Sequence, residues 1–468
     1  MKKGLLANYV ASITNIKHGE SYYTILNYFF FEYITNLVLY ALPFWLDATF
    51  IGQLESTITY ATLGVTNNFV HLVIKIAEAL SVGTVVLSGQ FNGRNDYHFV
   101  GRTIRDAFWV TCVVGFLFFL ALYNGAYWIY FWYGVSEEVI SLGVPFLQLR
   151  AISVLFMFVY FALIGFLRGI KNTKTPMKIF MAGAIIFIFF DYALIFGKWG
   201  FPAMGLKGSA IASLLQYGFM FFVALCYIIF DNKNRKYGIS LFSVFNDVSY
   251  VKKLLHLSWP VVLDKAAVAL AYVWLGKMIA SMGTCGLAAF CVVKDMERFA
   301  IIPATAFAHV ITFLVSNDFG IQNWEGIKGN IKKIIFICSI IVGTVLILFS
   351  CWPEYIIQLF DKKGEFTELA ARAFPILSIL AFFDLLQLIL SGATRGTGSM
   401  RIVMHVRLVI VFCYFIPLSY FLSHLTMQDQ TLKFILVYGS FYLGNALMSI
   451  VYINRFRGDD WKISSMNN

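Results

Sequence analysis

The chain has 468 residues, of which 59% are hydrophobic, 18% aromatic and 13% charged, a charged share about half of the roughly 25% expected of a soluble domain. Apolar runs of about 20 residues recur along almost the whole length, which reads as an all-α polytopic membrane protein and excludes a β-barrel, whose strands would alternate over segments of about 10. The formal net charge of +11 falls in loops that alternate with acidic or neutral ones, a topology signal and not a nucleic-acid surface.

Residues 1–20 have no apolar core long enough for a signal peptide and read as a cytoplasmic tail or surface helix. Twelve spans follow, at about 24–51, 59–88, 106–132, 139–167, 177–197, 205–230, 257–282, 286–316, 332–353, 367–394, 402–423 and 431–454. The odd-to-even connections carry Glu55, then Glu137 and Glu138, and finally Asp429. The even-to-odd connections carry Arg94 and Arg102, then Arg168, Lys171, Lys174 and Lys178, then Lys233, Arg235, Lys236, Lys252 and Lys253, then Lys328, Lys332 and Lys333. Basic loops stay in the cytoplasm, so both termini are expected there, in a multi-pass protein of the cell (inner) membrane. The seven cysteines lie in or beside apolar runs without a CxxC pair, and neither disulfides nor a structural metal are expected.

The polar stretch from Asp231 to Lys253 is the only long connection and divides six spans from six. The expected organisation is an amino-terminal lobe over 1–230, a cytoplasmic linker over 231–256 and a carboxy-terminal lobe over 257–468. Ser88, Phe91 and Asn95 recur as Ser316, Phe319 and Asn323 at an offset of 228, and Gly165, Arg168 and Gly169 recur as Gly392, Arg395 and Gly396 at 227. An even number of spans per half makes the halves parallel six-helix repeats around a central cavity.

An ionisable group inside a membrane segment is a functional-site hypothesis, because hydrocarbon disfavours its ionised form by a few kcal/mol. Asp47 sits late in the first span, one turn after Pro43, which frees a backbone acceptor and lets the helix bend. Asp47 and Asp191 have no Lys or Arg within one turn, so each suits the uptake and release of a proton. Asp384 is similar, with Gln387 on the same face at i+3 as a neutral ligand. Asp264, beside Lys265, fits either a cavity or an interfacial role. Lys294, Asp295, Glu297 and Arg298 cluster in span 8, where i,i+3 spacing pairs Lys294 with Glu297 and Asp295 with Arg298. Asp264, Asp295, Glu297 and Gln387 are the candidates for a substrate cavity. Lys75 and Glu78 form another i,i+3 pair, and Arg150 and Arg407 read as structural or snorkelling residues. His71, His309 and His405 read as isolated structural histidines. No GxxxxGK[ST], HExxH or nucleophile signature is present, which argues against a built-in ATPase or an enzyme.

Six stretches in this order resemble the multidrug and toxic compound extrusion (MATE) family: LDATFIGQL (46–54), GTVVLSGQFNGRND (83–96), GFLRGIKNTKTPM (165–177), DYALIFGKWGFPAMGLKGSAIAS (191–213), AAFCVVKDMERFAIIPA (288–304) and FFDLLQLILSGATRGTGSMR (382–401). The resemblance implies an antiporter in which protons or sodium drive small amphipathic, often cationic, compounds outward, with membrane lipids as its surroundings, no nucleic acid and no cofactor beyond the coupling ion, acting as a monomer. It places Asp47 and Asp191 at the family's amino-lobe proton site and Asp384 on its span 10 acid, while Phe187 stands where an asparagine is usual. Protons carried by Asp47, with Asp384 tuning the substrate cavity, are the expectation; sodium bound near Asp384 is the alternative. A flippase for lipid-linked glycan precursors, from the same wider superfamily, is the competing function, and a membrane-embedded transferase is a third class.

Overall fold

A computed structural model describes residues 16–40, 46, 50, 57–241, 243, 249–358, 361 and 364–462. Twelve long helices occur in it: α1 (Tyr22–Tyr40), α2 (Thr57–Gly93), α3 (Tyr97–Tyr133), α4 (Glu137–Gly169), α5 (Lys174–Phe196), α6 (Leu206–Phe230), α7 (Ser249–Ala280), α8 (Gly283–Gly320), α9 (Trp324–Cys351), α10 (Thr367–Gly396), α11 (Met400–His424) and α12 (Gln430–Arg457). Eleven, α2 to α12, are long and apolar enough to cross a membrane, and α1 is described for 19 residues. No strand occurs among the described residues. The all-α polytopic class therefore holds.

The helices outrun several hydropathy-based ends. α3 starts at Tyr97 and not near 106 because its first turns stay helical while carrying charge, with Arg105 paired to Asp106 at 2.9 Å. α9 likewise begins at Trp324, taking in Lys328, Lys332 and Lys333. Residues 16–20 are not helical, so the surface-helix reading does not hold for them. The described part of the 231–253 connection is also more than a spacer. Asn232–Tyr237 forms a 3-10 turn, and Tyr237 is buried between the rings of Tyr97 and Phe166, with its hydroxyl donating to Asn92 Oδ1 at 3.0 Å.

The chain divides into two units, Ile34–Val262 and Met1–Tyr33 with Leu263–Asn468, so that the divisions fall inside α1 and α7. Within the first, α4 packs on α2, α3 and α6; within the second, α10 packs on α8, α9 and α12. These are equivalent positions of the repeat, and glycine explains the close approach in both. A Cβ on Gly165 would lie 2.8 Å from the Ser81 carbonyl oxygen, and one on Gly169 2.9 Å from that of Val85. The same construction puts Gly392 2.7 Å from the Ala308 oxygen and Gly396 2.8 Å from that of Thr312. Small residues four apart let two helix backbones touch, the packing available where both sides of a helix already face apolar surroundings.

The structure corrects the register of the repeat. α2 and α8 end at Gly93 and Gly320, α3 and α9 begin at Tyr97 and Trp324, and the left-handed turn residues Asn95 and Gln322 have φ of 60° and 58°, all at an offset of 227. Lys171 and Gly398 match in the same way, at φ of 62° and 84°. The Gly165, Arg168 and Gly169 set is thus in register, whereas the 228 set built on Ser88 is displaced by one residue.

Valine at Gly165 or Gly392 has backbone oxygen in its way and is expected to destabilise the protein by about 1–3 kcal/mol. Alanine at Gly343, which has open space around it, should leave stability unchanged or raise it. Thermal unfolding of the purified variants in detergent checks both.

Candidate functional site

In the unit that contains Leu263–Asn468, the interior carries a line of polar side chains on four helices. One face of α12 presents Tyr438, Tyr442, Asn445 and Tyr452, at i, i+4, i+7 and i+14. One face of α10 presents Asp384, Gln387 and Arg395. Asp264 comes from α7 and Glu297 from α8.

These acids fall into two kinds. Asp264 is buried, and both its oxygens are taken by guanidinium groups: Arg395 Nη2 donates to Oδ2 at 2.6 Å and Arg407 Nε to Oδ1 at 2.5 Å. Lys265 does not take this place. A carboxylate held by two guanidinium groups in the protein interior stays ionised and stays put. The interfacial reading of Asp264 is replaced by an interior ion triad, and Arg407, only 5% exposed, is a partner in it and not a snorkelling residue. A π-helical turn, Ile410–Phe415, follows Arg407 in α11.

Glu297 and Asp384 are of the other kind. Glu297 is 3% exposed, and its Oε2 accepts from the hydroxyls of both Tyr438 and Tyr442. Asp384 is half-buried, and its Oδ1 accepts from Asn445 Nδ2 at 3.0 Å. Arg407 lies within electrostatic reach of Asp384 without bonding to it. Within the described residues, Glu297 Oε1, Asn445 Oδ1 and Gln387 Nε2 make no hydrogen bond, although all three residues are buried. Neutral donors solvate an anion and tolerate its protonated form, so these two carboxyls can change charge where Asp264 cannot.

The span 8 charges do not act as a cluster. The i,i+3 pairs do not form: Glu297 turns inward to the tyrosines, Lys294 lies over the Phe290 ring at 5.4 Å, and Asp295 and Arg298 are exposed. Glu32 of α1, which the sequence reading passed over, is 1% exposed, with His309 Nδ1 3.4 Å from its Oε2. His309 is therefore not isolated.

In the unit Ile34–Val262, Asp191 is fully buried on α5, one turn from the buried Phe187. Arg150 is part of the interior: it donates to Ser213 Oγ and, at 3.1 Å, to Asn67 Oδ1, joining α4 to α6 and α2. Thr66 and the buried Tyr130 hydroxyl bond across α2 and α3. Lys75 and Glu78 form the expected pair at 3.1 Å. Asp47 and Pro43 lie outside the described residues.

The sequence model of the MatE family matches residues 33–193 and 260–421, one segment in each repeat. Among named relatives, a probable multidrug resistance protein NorM of Thermotoga maritima is 27% identical over 54% of each chain. A probable multidrug resistance protein YoeA of Bacillus subtilis is 25% identical over 76% of this chain and 78% of its own. Among solved structures, the outward-facing conformation of a multidrug resistance MATE family transporter superposes with a TM-score of 0.84 at 18% identity, covering 95% of this chain and 97% of that one. A MATE transporter of Vibrio cholerae gives 0.83 at 16%, covering 94% and 98%.

Asp264→Asn removes the anion bonded to the guanidinium groups of the buried Arg407 and the nearly buried Arg395 and is expected to cost about 3–5 kcal/mol of stability. Adding Arg407→Met to it should recover part of that loss, so the double variant unfolds later than the sum of the single changes implies. Thermal unfolding of the single and double variants reads the coupling.

Proposed function

The chain belongs to the MatE family, and on that premise we propose that it is a cation-coupled antiporter that exports small amphipathic or cationic organic compounds by alternating access. The observation that carries this reading is the division among the buried acids. Asp264 is permanently neutralised by arginines, whereas Glu297 and Asp384 bond only to neutral donors among the described residues. A carboxyl that can lose its proton offers an organic cation a counter-charge, and one that regains it releases the cation. The names of the relatives, multidrug resistance proteins, support small organic substrates. The basic even-to-odd connections support cytoplasmic termini and export across the cell membrane.

Protons fit better than sodium as the driving ion. Sodium needs several oxygens to replace its water shell, and a proton needs one carboxyl. The Glu297 neighbourhood is lined by phenol rings, and Asp191 has Phe187 one turn away. Asp47 and Asp191 are the proposed proton carriers of one unit, with Glu297 and Asp384 meeting the substrate cation in the other.

The test uses purified protein in liposomes with an imposed pH gradient and no sodium. Transport of a cationic dye is expected, and it is abolished by Asp47→Asn and by Glu297→Gln in variants that unfold at the wild-type temperature. Transport driven by a sodium gradient alone, with Asp384→Asn the most damaging change, would overturn the proton reading.

A further inference from the structure

The amino-terminal segment from Ile16 to Glu20 runs as a strap across the start of α9, in the unit to which both belong. Two interior side chains hold its main chain. Lys333, 3% exposed, donates to the carbonyls of His18 and Glu20 at 3.0 and 2.9 Å. Asn330, fully buried, accepts from the Glu20 N–H at 2.8 Å and donates to Asp318 Oδ2 at 2.8 Å. Gly19 takes φ +80°, and Gly329 lies so close beneath that a Cβ would sit 2.9 Å from the His18 carbonyl carbon. Burying a lysine and an amide to fix a segment of main chain is costly unless the geometry they fix is used.

That geometry is an open cavity of about 320 Å³. Lys17 and His18 face it from the strap, and Lys328 and Lys332 from α9, against the single acid Glu325. Asp459, from the segment after α12, acts on Lys328 but is itself paired with Lys462 at 2.6 Å. The cavity therefore keeps a positive excess suited to a phosphate.

Its position decides between a phosphate in solution and one on a lipid. α9 is long and apolar enough to cross a membrane, and its charged residues Glu325, Lys328, Lys332 and Lys333 all fall in its first three turns, the end that charge assigns to the boundary with water. From Lys332 the same helix face continues through Phe336, Ile340, Gly343 and Ile347 at i+4, i+8, i+11 and i+15. Ile340 and Ile347 are 54% and 64% exposed, and nothing lies within 4 Å of where a Gly343 Cβ would be. We infer that the cavity under the strap binds the phosphate headgroup of an anionic phospholipid, with an acyl chain lying along this face of α9. A basic pocket at the end of a membrane helix attracts such headgroups, and the apolar track adds what a free anion lacks.

The protein, stripped of lipid in a neutral detergent, is titrated with phosphatidylglycerol, phosphatidylcholine or inorganic phosphate while bound lipid is counted by native mass spectrometry and unfolding is followed by heating. Phosphatidylglycerol is expected to bind more tightly than phosphatidylcholine and to raise the unfolding temperature, with inorganic phosphate doing neither. Lys332→Gln should weaken binding about five-fold, and Lys17→Gln combined with it by the product of two such factors. Both lysines are exposed, so the variants fold, and Lys174→Gln, at a residue outside the lining of the cavity, should leave the affinity unchanged. Equal binding of the two lipids, or an unchanged affinity in the double variant, would overturn the site. A shift with inorganic phosphate as large as that with lipid would assign the cavity to a soluble phosphate and refute the headgroup.

Discussion

A carboxylate in hydrocarbon has no water to stabilise it, so the buried acids Asp264 of α7 and Glu297 of α8 each depend on side chains from other helices. The partner chosen decides what the acid can do. Two arginines make Asp264 a fixed joint between α7, α10 and α11. Two tyrosines make Glu297 a group whose charge can change without breaking the packing around it. Coulomb attraction in a low dielectric is strong enough to hold the first state permanently, while a hydrogen bond from a phenol is weak enough to leave the second open.

The same economy governs the helix packing. Lipid is as apolar as a leucine side chain, so helices gain little by hiding apolar surface from it, and contact must come from shape. Gly165 with Gly169 and Gly392 with Gly396 supply that shape at matching places in the two repeats, and the turns after them match as well. Rigid, backbone-close pairs of α2 with α4 and of α8 with α10 give the buried polar side chains a fixed frame.

The spans and the positions of the acids were legible in the sequence because hydrophobic runs and interrupting charges are local features. The partners were not. Asp264 meets Arg395 and Arg407 across 131 and 143 residues, and Glu297 meets Tyr438 and Tyr442 across 141 and 145. Hydropathy does not say which helix faces another. The tyrosine stripe on α12 had a signal, its i, i+4, i+7, i+14 spacing, but in a chain that is 18% aromatic the spacing is hidden in background. Glu32 was missed because a single acid in FFFEYIT lowers the local hydropathy very little. The one-residue error in the Ser88 set came from trusting three identities over helix ends, which only the backbone shows.

The central claim is that carboxyls bonded to neutral donors trade protons for an organic cation, and its most direct measurement is proton release on binding. A cationic dye is added to purified protein in a weakly buffered, sodium-free solution containing a pH indicator. The account predicts that dye binding releases protons, that Glu297→Gln reduces the release, and that Arg395→Met, which removes one arm of the fixed triad and not the charge acting on Asp384, does not reduce it. Dye binding without proton release, or binding that requires sodium, would contradict it.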